Sequence, residues 1–380
     1  MRTERSFGSL PGRGFGILAV ALLFVGCADD TERIAESGSE EKIVNVYNWS
    51  DYVAPTTVAD FESRTGIKVN LDTYDSNEVL ETKLLTGNTG YDVVFPSAIY
   101  FERQVKAGVF QKLDKSKLPN LPNLDPEIMG RLAIYDPGNE HGIGYMWGTI
   151  GIGYNPQMVK KVLGTDVIDS WGALFNPDQA SKLATCGLTL LDSPEDVSAG
   201  AKIYLGIDLN SESAEDLARV ESLLAAVRPH VRYFDSAQHR NDLASGEICV
   251  AFLWNGDLLQ ARGAAAAAGS PVHLAYALPR EGSGIWLDAV AIPADAPHPQ
   301  NAHAFLNYLM EPEVIAAVSN AIGYANINAA SRPLVRAELL EDPAAYPPAE
   351  TMHALQTPTA RSQAYSRELN RAWTRIKTGQ

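Results

Sequence analysis

The sequence predicts an α/β fold built in two lobes. Strand-like and helix-like segments alternate from residue 43 to 108, and the same alternation returns between about residues 148 and 265. Sheet-like segments then reappear at 272–277 and 284–292 before helices dominate to the end. Such alternation argues for a parallel sheet covered by helices. The late return of strands argues that the chain crosses back to the first lobe.

The first strand is read at 43–49 (IVNVYNW), where β-branched and aromatic residues alternate with polar ones. Pro55 opens a helix that Gly66 closes. A second strand follows at 67–74 and a helix at 77–87, with Leu80, Leu84 and Leu85 on one face. Residues 91–95 read as a third strand and 100–108 as a helix. In the second half, strands are expected at 188–191 and 248–254 around a helix at 216–227. The alanine run 264–268 reads as a helix end or a surface loop. Later helices are expected at 302–310 and 313–321.

The first forty residues are of another kind. Arg2, Arg5 and Arg13 make a basic start, and residues 14–26 (GFGILAVALLFVG) form an uncharged apolar run. That is the length of a signal segment and short for a membrane span, which needs about 20 residues. The run ends at Phe24-Val25-Gly26-Cys27. It resembles a bacterial lipobox, with Phe24 where Leu is usual, so Cys27 is expected to be acylated. Residues 28–42 are polar and acidic and read as a flexible tether.

The 380 residues carry 31 Lys and Arg against 46 Asp and Glu. Loss of residues 1–26 removes three Arg and one Glu and leaves a net charge of −17. Such a chain repels phosphate and makes a poor nucleic-acid partner. Apart from Cys27, the cysteines are Cys186 and Cys249. Export favours a disulfide between them, and two separate buried thiols are the alternative.

No GxSxG elbow, HExxH, P-loop or GxGxxG motif occurs; Gly151-Ile152-Gly153-Tyr154-Asn155-Pro156 begins like the last and then departs from it. The seven His are scattered, with no metal-ligand spacing. What the sequence does hold is aromatic residues beside carboxylates at strand ends: Trp49-Ser50-Asp51-Tyr52, Trp254-Asn255-Gly256-Asp257 and Trp286-Leu287-Asp288. Asp192-Ser193-Pro194-Glu195-Asp196 follows another strand. Carboxylates offset the cost of burying an ammonium, and aromatic faces cover methylenes and attract the cation. The plainer alternative is core packing by each Trp and turn or cap chemistry by each Asp.

At these residues the sequence resembles the polyamine-binding proteins of bacterial ABC importers, especially the putrescine-binding branch. The runs VYNWSDYVAP, YDSNEVLETKLLTGNTGYDVVFPS, AGVFQKLDKSKLPNLPNLDP, YMWGTIGIGYN, RYFDSAQHRNDLASGEICVAFLWNGD and AIPADA carry the likeness, which extends from residue 44 to 377. The resemblance implies a type II periplasmic-binding-protein fold, with two lobes of mixed sheet flanked by helices and the ligand in the cleft between them. Lobe 1 is expected at 43–147 and 267–323, and lobe 2 at 148–266 and 324–380. It also implies a ligand box of Trp49, Ser50, Tyr52, Ser97, Trp254, Asp257, Trp286, Asp288 and Tyr324, with Asp51 near the ligand amine, Asp196 from the second lobe and Ser236 in a water-bridged outer layer. The family's disulfide falls on Cys186 and Cys249.

By the same resemblance Asp257 and Asp288 pair ammonium groups, and the Trp residues and Tyr324 enclose methylenes. Asp196 stands where the putrescine branch carries Glu, and Trp286 where it carries Phe. Ile99 replaces a Ser of a relative. The shorter carboxylate and the larger ring tilt the expectation toward spermidine over putrescine. The expected product is a periplasmic, lipid-anchored monomer without cofactor or catalytic activity, which hands its ligand to a permease. The rival readings are a site for another small cation or an amino acid, a polyamine sensor, and an exported hydrolase using Asp196 and Asp257.

Overall fold

The computed structural model describes residues 40–379. The basic start, the apolar run, Cys27 and most of the tether lie outside those residues. The strands are β1 (Ile43–Trp49), β2 (Lys68–Tyr74), β3 (Val93–Val94), β4 (Gly142–Tyr154), β5 (Leu188–Leu190), β6 (Tyr233–Phe234), β7 (Val250–Trp254), β8 (Ala275–Ala277), β9 (Ser283–Ala291), β10 (Ala325–Asn326) and β11 (Leu355–Gln356). Helices occupy most of the chain between them.

β1 pairs in parallel with β2 and β3. β9 runs antiparallel between β3 and β4. β4 then changes neighbours along its length. Residues 142–149 pair with β9 and β10, and residues 150–154 pair with β7 and β8. Beyond it, β7, β5 and β6 are parallel. The result is a mixed sheet in two segments that share one strand.

The strand pairing runs across the expected boundaries. The break at 147/148 falls inside β4, a continuous strand of 13 buried residues. Its five glycines disguised it, because Gly carries little strand propensity. β8 pairs with Gly153 and its neighbours, so 275–277 belongs with the second segment. β10 pairs with Met146 and Trp147, so 325–326 belongs with the first. Two smaller corrections concern ends. The first helix is Thr57–Thr65, two residues past Pro55, and it closes at Gly66 with φ 68°, a conformation that Gly adopts without strain. Glu40, expected in the tether, is tied to the fold. Its carboxylate accepts the N–H groups of Gln300 and Asn301 at 2.9 and 3.0 Å, at the start of the helix Pro299–Leu309, where a negative group is favoured.

Each sheet segment has a core on both faces. Val44 and Val46 of β1 pack into one cluster and Tyr47 into another. On β7, Val250 and Phe252 face one cluster while Ala251 and Leu253 face a second, as the two-residue period of a strand requires. Cys186 and Cys249 form a disulfide, with Cα atoms 5.4 Å apart. They precede β5 and β7, which pair in parallel, so the bridge joins the starts of neighbouring strands. No helix among the described residues is long and apolar enough to cross a membrane.

Candidate functional site

Asp288 lies on β9, where the strand period sends Leu287 and Ala289 into one core cluster and turns Trp286 and Asp288 to the opposite face. β3 ends just before Phe95-Pro96-Ser97. The Ala289 N–H donates to the Pro96 carbonyl at 2.9 Å, and Ser97 bridges to Asp288. The Ser97 hydroxyl donates to Asp288 Oδ1 at 2.7 Å, and the Tyr52 hydroxyl donates to Oδ2 at 2.7 Å. Tyr52 is itself held by Tyr145, whose hydroxyl donates to the Tyr52 carbonyl at 2.7 Å.

Asp288 is buried, and no Lys, Arg or His among the described residues pairs with it. Burial pushes its carboxyl up to about 6, against the lowering effect of the Tyr52 and Ser97 bonds. Burial, with the Asp288 charge second, raises the Tyr52 phenol well above its ordinary value. Asp288 is therefore a desolvated acid with neutral donors only.

Asp196 is a second such group. Ser193 caps the helix Pro194–Tyr204 and places Asp196 in its first turn. Asp196 Oδ2 accepts the Ser193 hydroxyl at 2.7 Å and the Trp254 indole N–H at 3.1 Å. Burial raises its carboxyl, and those two bonds oppose the rise. The bond to Trp254 joins the end of β7 to the segment that follows β5.

Asp257 differs. It sits in the first turn of the helix Asn255–Ala267 and is buried. Its Oδ2 lies 2.9 Å from His239 Nε2, and its Oδ1 lies 3.8 Å from Arg240 Nη1.

Aromatic rings connect these groups. Tyr324 packs edge-on to Trp286 at 5.2 Å and to Tyr52 at 5.9 Å between ring centroids. A Cβ at Gly256 would overlap the Tyr324 ring, and one at Gly148 would overlap Trp286 and Asn255. The two glycines let rings from the first segment lie directly on backbone that leads into the second. Trp49 donates its indole N–H to the Phe95 carbonyl at 2.8 Å and tilts against Tyr74. Ser50 and Asp51 are exposed; the Ser50 hydroxyl donates to Asp75 at 2.8 Å, and Asp51 has φ 54°, which Asp tolerates better than most residues. Ser236 accepts the Asp192 N–H at 3.2 Å. No hydrogen bond among the described residues links Trp49, Ser50, Asp51 or Ser236 to the three carboxylates. No group of three or more His, Cys, Asp or Glu among the described residues is placed to hold a metal ion.

The family model for bacterial extracellular solute-binding proteins matches residues 56–348. This chain belongs to that family. A putrescine-binding periplasmic protein of Escherichia coli, PotF, is 47% identical over 366 residues, covering 96% of this chain and 97% of the relative. The putrescine-binding periplasmic protein SpuD of Pseudomonas aeruginosa is 46% identical over 96% of this chain and 99% of the relative. Among solved structures, the spermidine/putrescine ABC transporter substrate-binding protein PotD of Streptococcus pneumoniae superimposes with a TM-score of 0.78 at 27% identity, covering 89% of this chain and 99% of that one. The α/β architecture expected from the sequence is thus the periplasmic-binding-protein fold.

In this solute-binding protein the structure unites Tyr52, Ser97 and Asp288, and separately Asp196 with Trp254. It adds three residues that received no role in the sequence analysis. Ser193 bonds Asp196, and its Ser-Pro pair before a helix is a readable cap signal. His239 and Arg240 face Asp257, and their approach depends on the packing of two successive helices, with His239 18 residues from Asp257 in the chain. Gly256 offers a direct test of the ring packing. Gly256→Ala is expected to displace Tyr324 and destabilise the protein by about 1–3 kcal/mol, with a matching loss of ligand affinity. A denaturation midpoint equal to that of the parent protein would remove this contact from the account.

Proposed function

We propose that the protein captures a polyamine outside the cytoplasm and delivers it to the permease of an ABC importer. The carrying observation is Asp288, a buried carboxylate whose partners are two hydroxyls. An ammonium is the complementary ligand, since a buried charge is stabilised by an opposite one. Trp286, Tyr324, Tyr52 and Trp254 supply apolar faces for the methylenes and attract the cation. Asp196 faces the second amine, and Asp257 stands beside His239 and Arg240. In this reading residues 43–147 with the β9 region form one lobe, the β5–β7 region forms the other, and ligand contacts from both favour closure. The protein works as a monomer, without cofactor or catalysis, held at the membrane through a lipid on Cys27.

PotF and SpuD are named for putrescine. Trp286 and Asp196 extend the proposal to spermidine, since the ring is wide and the carboxylate short. Titration calorimetry of the purified protein with putrescine, spermidine, cadaverine, agmatine and one ω-amino acid tests the reading. Saturable heat with the di- or triamines is expected. Heat with the ω-amino acid alone, or with none of the five, would overturn it.

A further inference from the structure

We propose that His239 and Arg240 form a built-in counter-ion at Asp257 and thereby set the ligand site for a dication over a trication. The inference rests on the polyamine reading and concerns charge, which that reading leaves open.

Three carboxylates mark the site, and they are not equivalent. Asp288 and Asp196 accept bonds only from neutral groups. Asp257 faces the His239 ring and the Arg240 guanidinium of the neighbouring helix Gln238–Ser245. His239 is 1% exposed and Asp257 3% exposed, so water screens their contact little. The ring of His239 has an oxygen at each nitrogen. Nδ1 lies 3.2 Å from the Asp235 carbonyl, and Nε2 lies 2.9 Å from the Asp257 carboxylate. A neutral ring carries one N–H and would leave a lone pair facing one of these oxygens. An imidazolium would donate to both. Arg240 is fixed by Gln260, whose Oε1 accepts from Nη1 at 2.8 Å, and by the Ala237 carbonyl, which accepts from Nε at 3.3 Å.

Among the other titratable groups around the pair, Asp235 adds one negative charge near His239 and Arg240, at a partly exposed position that water screens. Burial raises the phenols of Tyr276 and Tyr324 and keeps them neutral. The carboxylate of Asp235 accepts the N–H groups of Ala237 and Gln238, and these bonds hold it below the usual range. Two uncompensated carboxylates therefore match two ammonium groups. A third ammonium at Asp257 meets the Arg240 guanidinium and the His239 ring already placed there. Length favours the triamine through Trp286, and charge opposes it here.

The test separates length from charge. Spermidine and 1,8-diaminooctane have the same chain length and differ in their central amine. The parent protein is expected to bind the diamine at least as tightly. Arg240→Gln, at a partly exposed position, is expected to shift the affinity ratio toward spermidine by about fivefold. His239→Gln is expected to shift it the same way. A ratio unchanged in Arg240→Gln, or moved toward the diamine, overturns the inference even if His239→Gln fails to fold. Failure of the parent protein to bind either amine would instead overturn the polyamine reading.

Discussion

Asp288→Asn is expected to weaken polyamine binding by at least about 30-fold, since removing one partner of a buried charge pair costs about 2–5 kcal/mol. The Asn side chain keeps the shape and retains an oxygen for the Tyr52 or Ser97 hydroxyl, so lost affinity reads the charge. Isothermal calorimetry of parent and variant measures it. Equal affinity would remove Asp288 from the ligand site.

The same substitution is expected to stabilise the ligand-free protein. Burial raises the Asp288 carboxyl from 3.8 to about 6, so the folded state binds its proton more tightly than the unfolded chain. The ligand-free protein therefore gains stability as pH falls from about 6 toward 3.8. It loses that stability as pH rises through the same window, by up to about 3 kcal/mol. Ligand affinity runs the other way. Below about pH 6 the carboxylate that pairs the ammonium is neutralised, and affinity falls by up to about tenfold per pH unit. Urea unfolding and calorimetry at about pH 5 and about pH 7.5 resolve both trends. In Asp288→Asn both contributions vanish. If the parent and variant share one pH profile, Asp288 does not titrate in this way.

Loss of the Cys186–Cys249 bridge is expected to cost about 4 kcal/mol. The two cysteines are 63 residues apart, and closing a loop of that length restricts the unfolded chain by about this amount. The bridge also joins β5 and β7 at their starts, the ends opposite the segments that carry Asp196 and Asp257. A double Cys→Ala variant should therefore show a lower urea midpoint, and unfolding of the parent protein should become equally easy in strong reductant. A midpoint insensitive to reductant would show that the bridge contributes nothing to stability.

Much of the fold was legible in the chain. The strand at 43–49 has its expected bounds as β1, because β-branched and aromatic residues alternate cleanly there. The helix at 77–87 ends one residue early, at Thr86, before Gly87. β4 was hidden because its glycines and continuous burial carry neither a two-residue nor a 3.6-residue period. The helix Pro194–Tyr204 was read only as an acidic segment after a strand. Its cap at Ser193 explains both the helix and the position of Asp196.

The aromatic and acidic pairs at the ends of β1 and β7 and within β9 are properties of the sequence, because neighbours in the chain stay neighbours in space. From them came the acidic, aromatic character of the site and the class of ligand it suits. Which carboxylate stands free was decided by tertiary structure alone. Ser97 and Tyr52 reach Asp288 across 191 and 236 residues, and His239 reaches Asp257 through the packing of adjacent helices. A local pattern records which charges a chain carries. The environment that neutralises or desolvates each charge arises only when distant segments pack together.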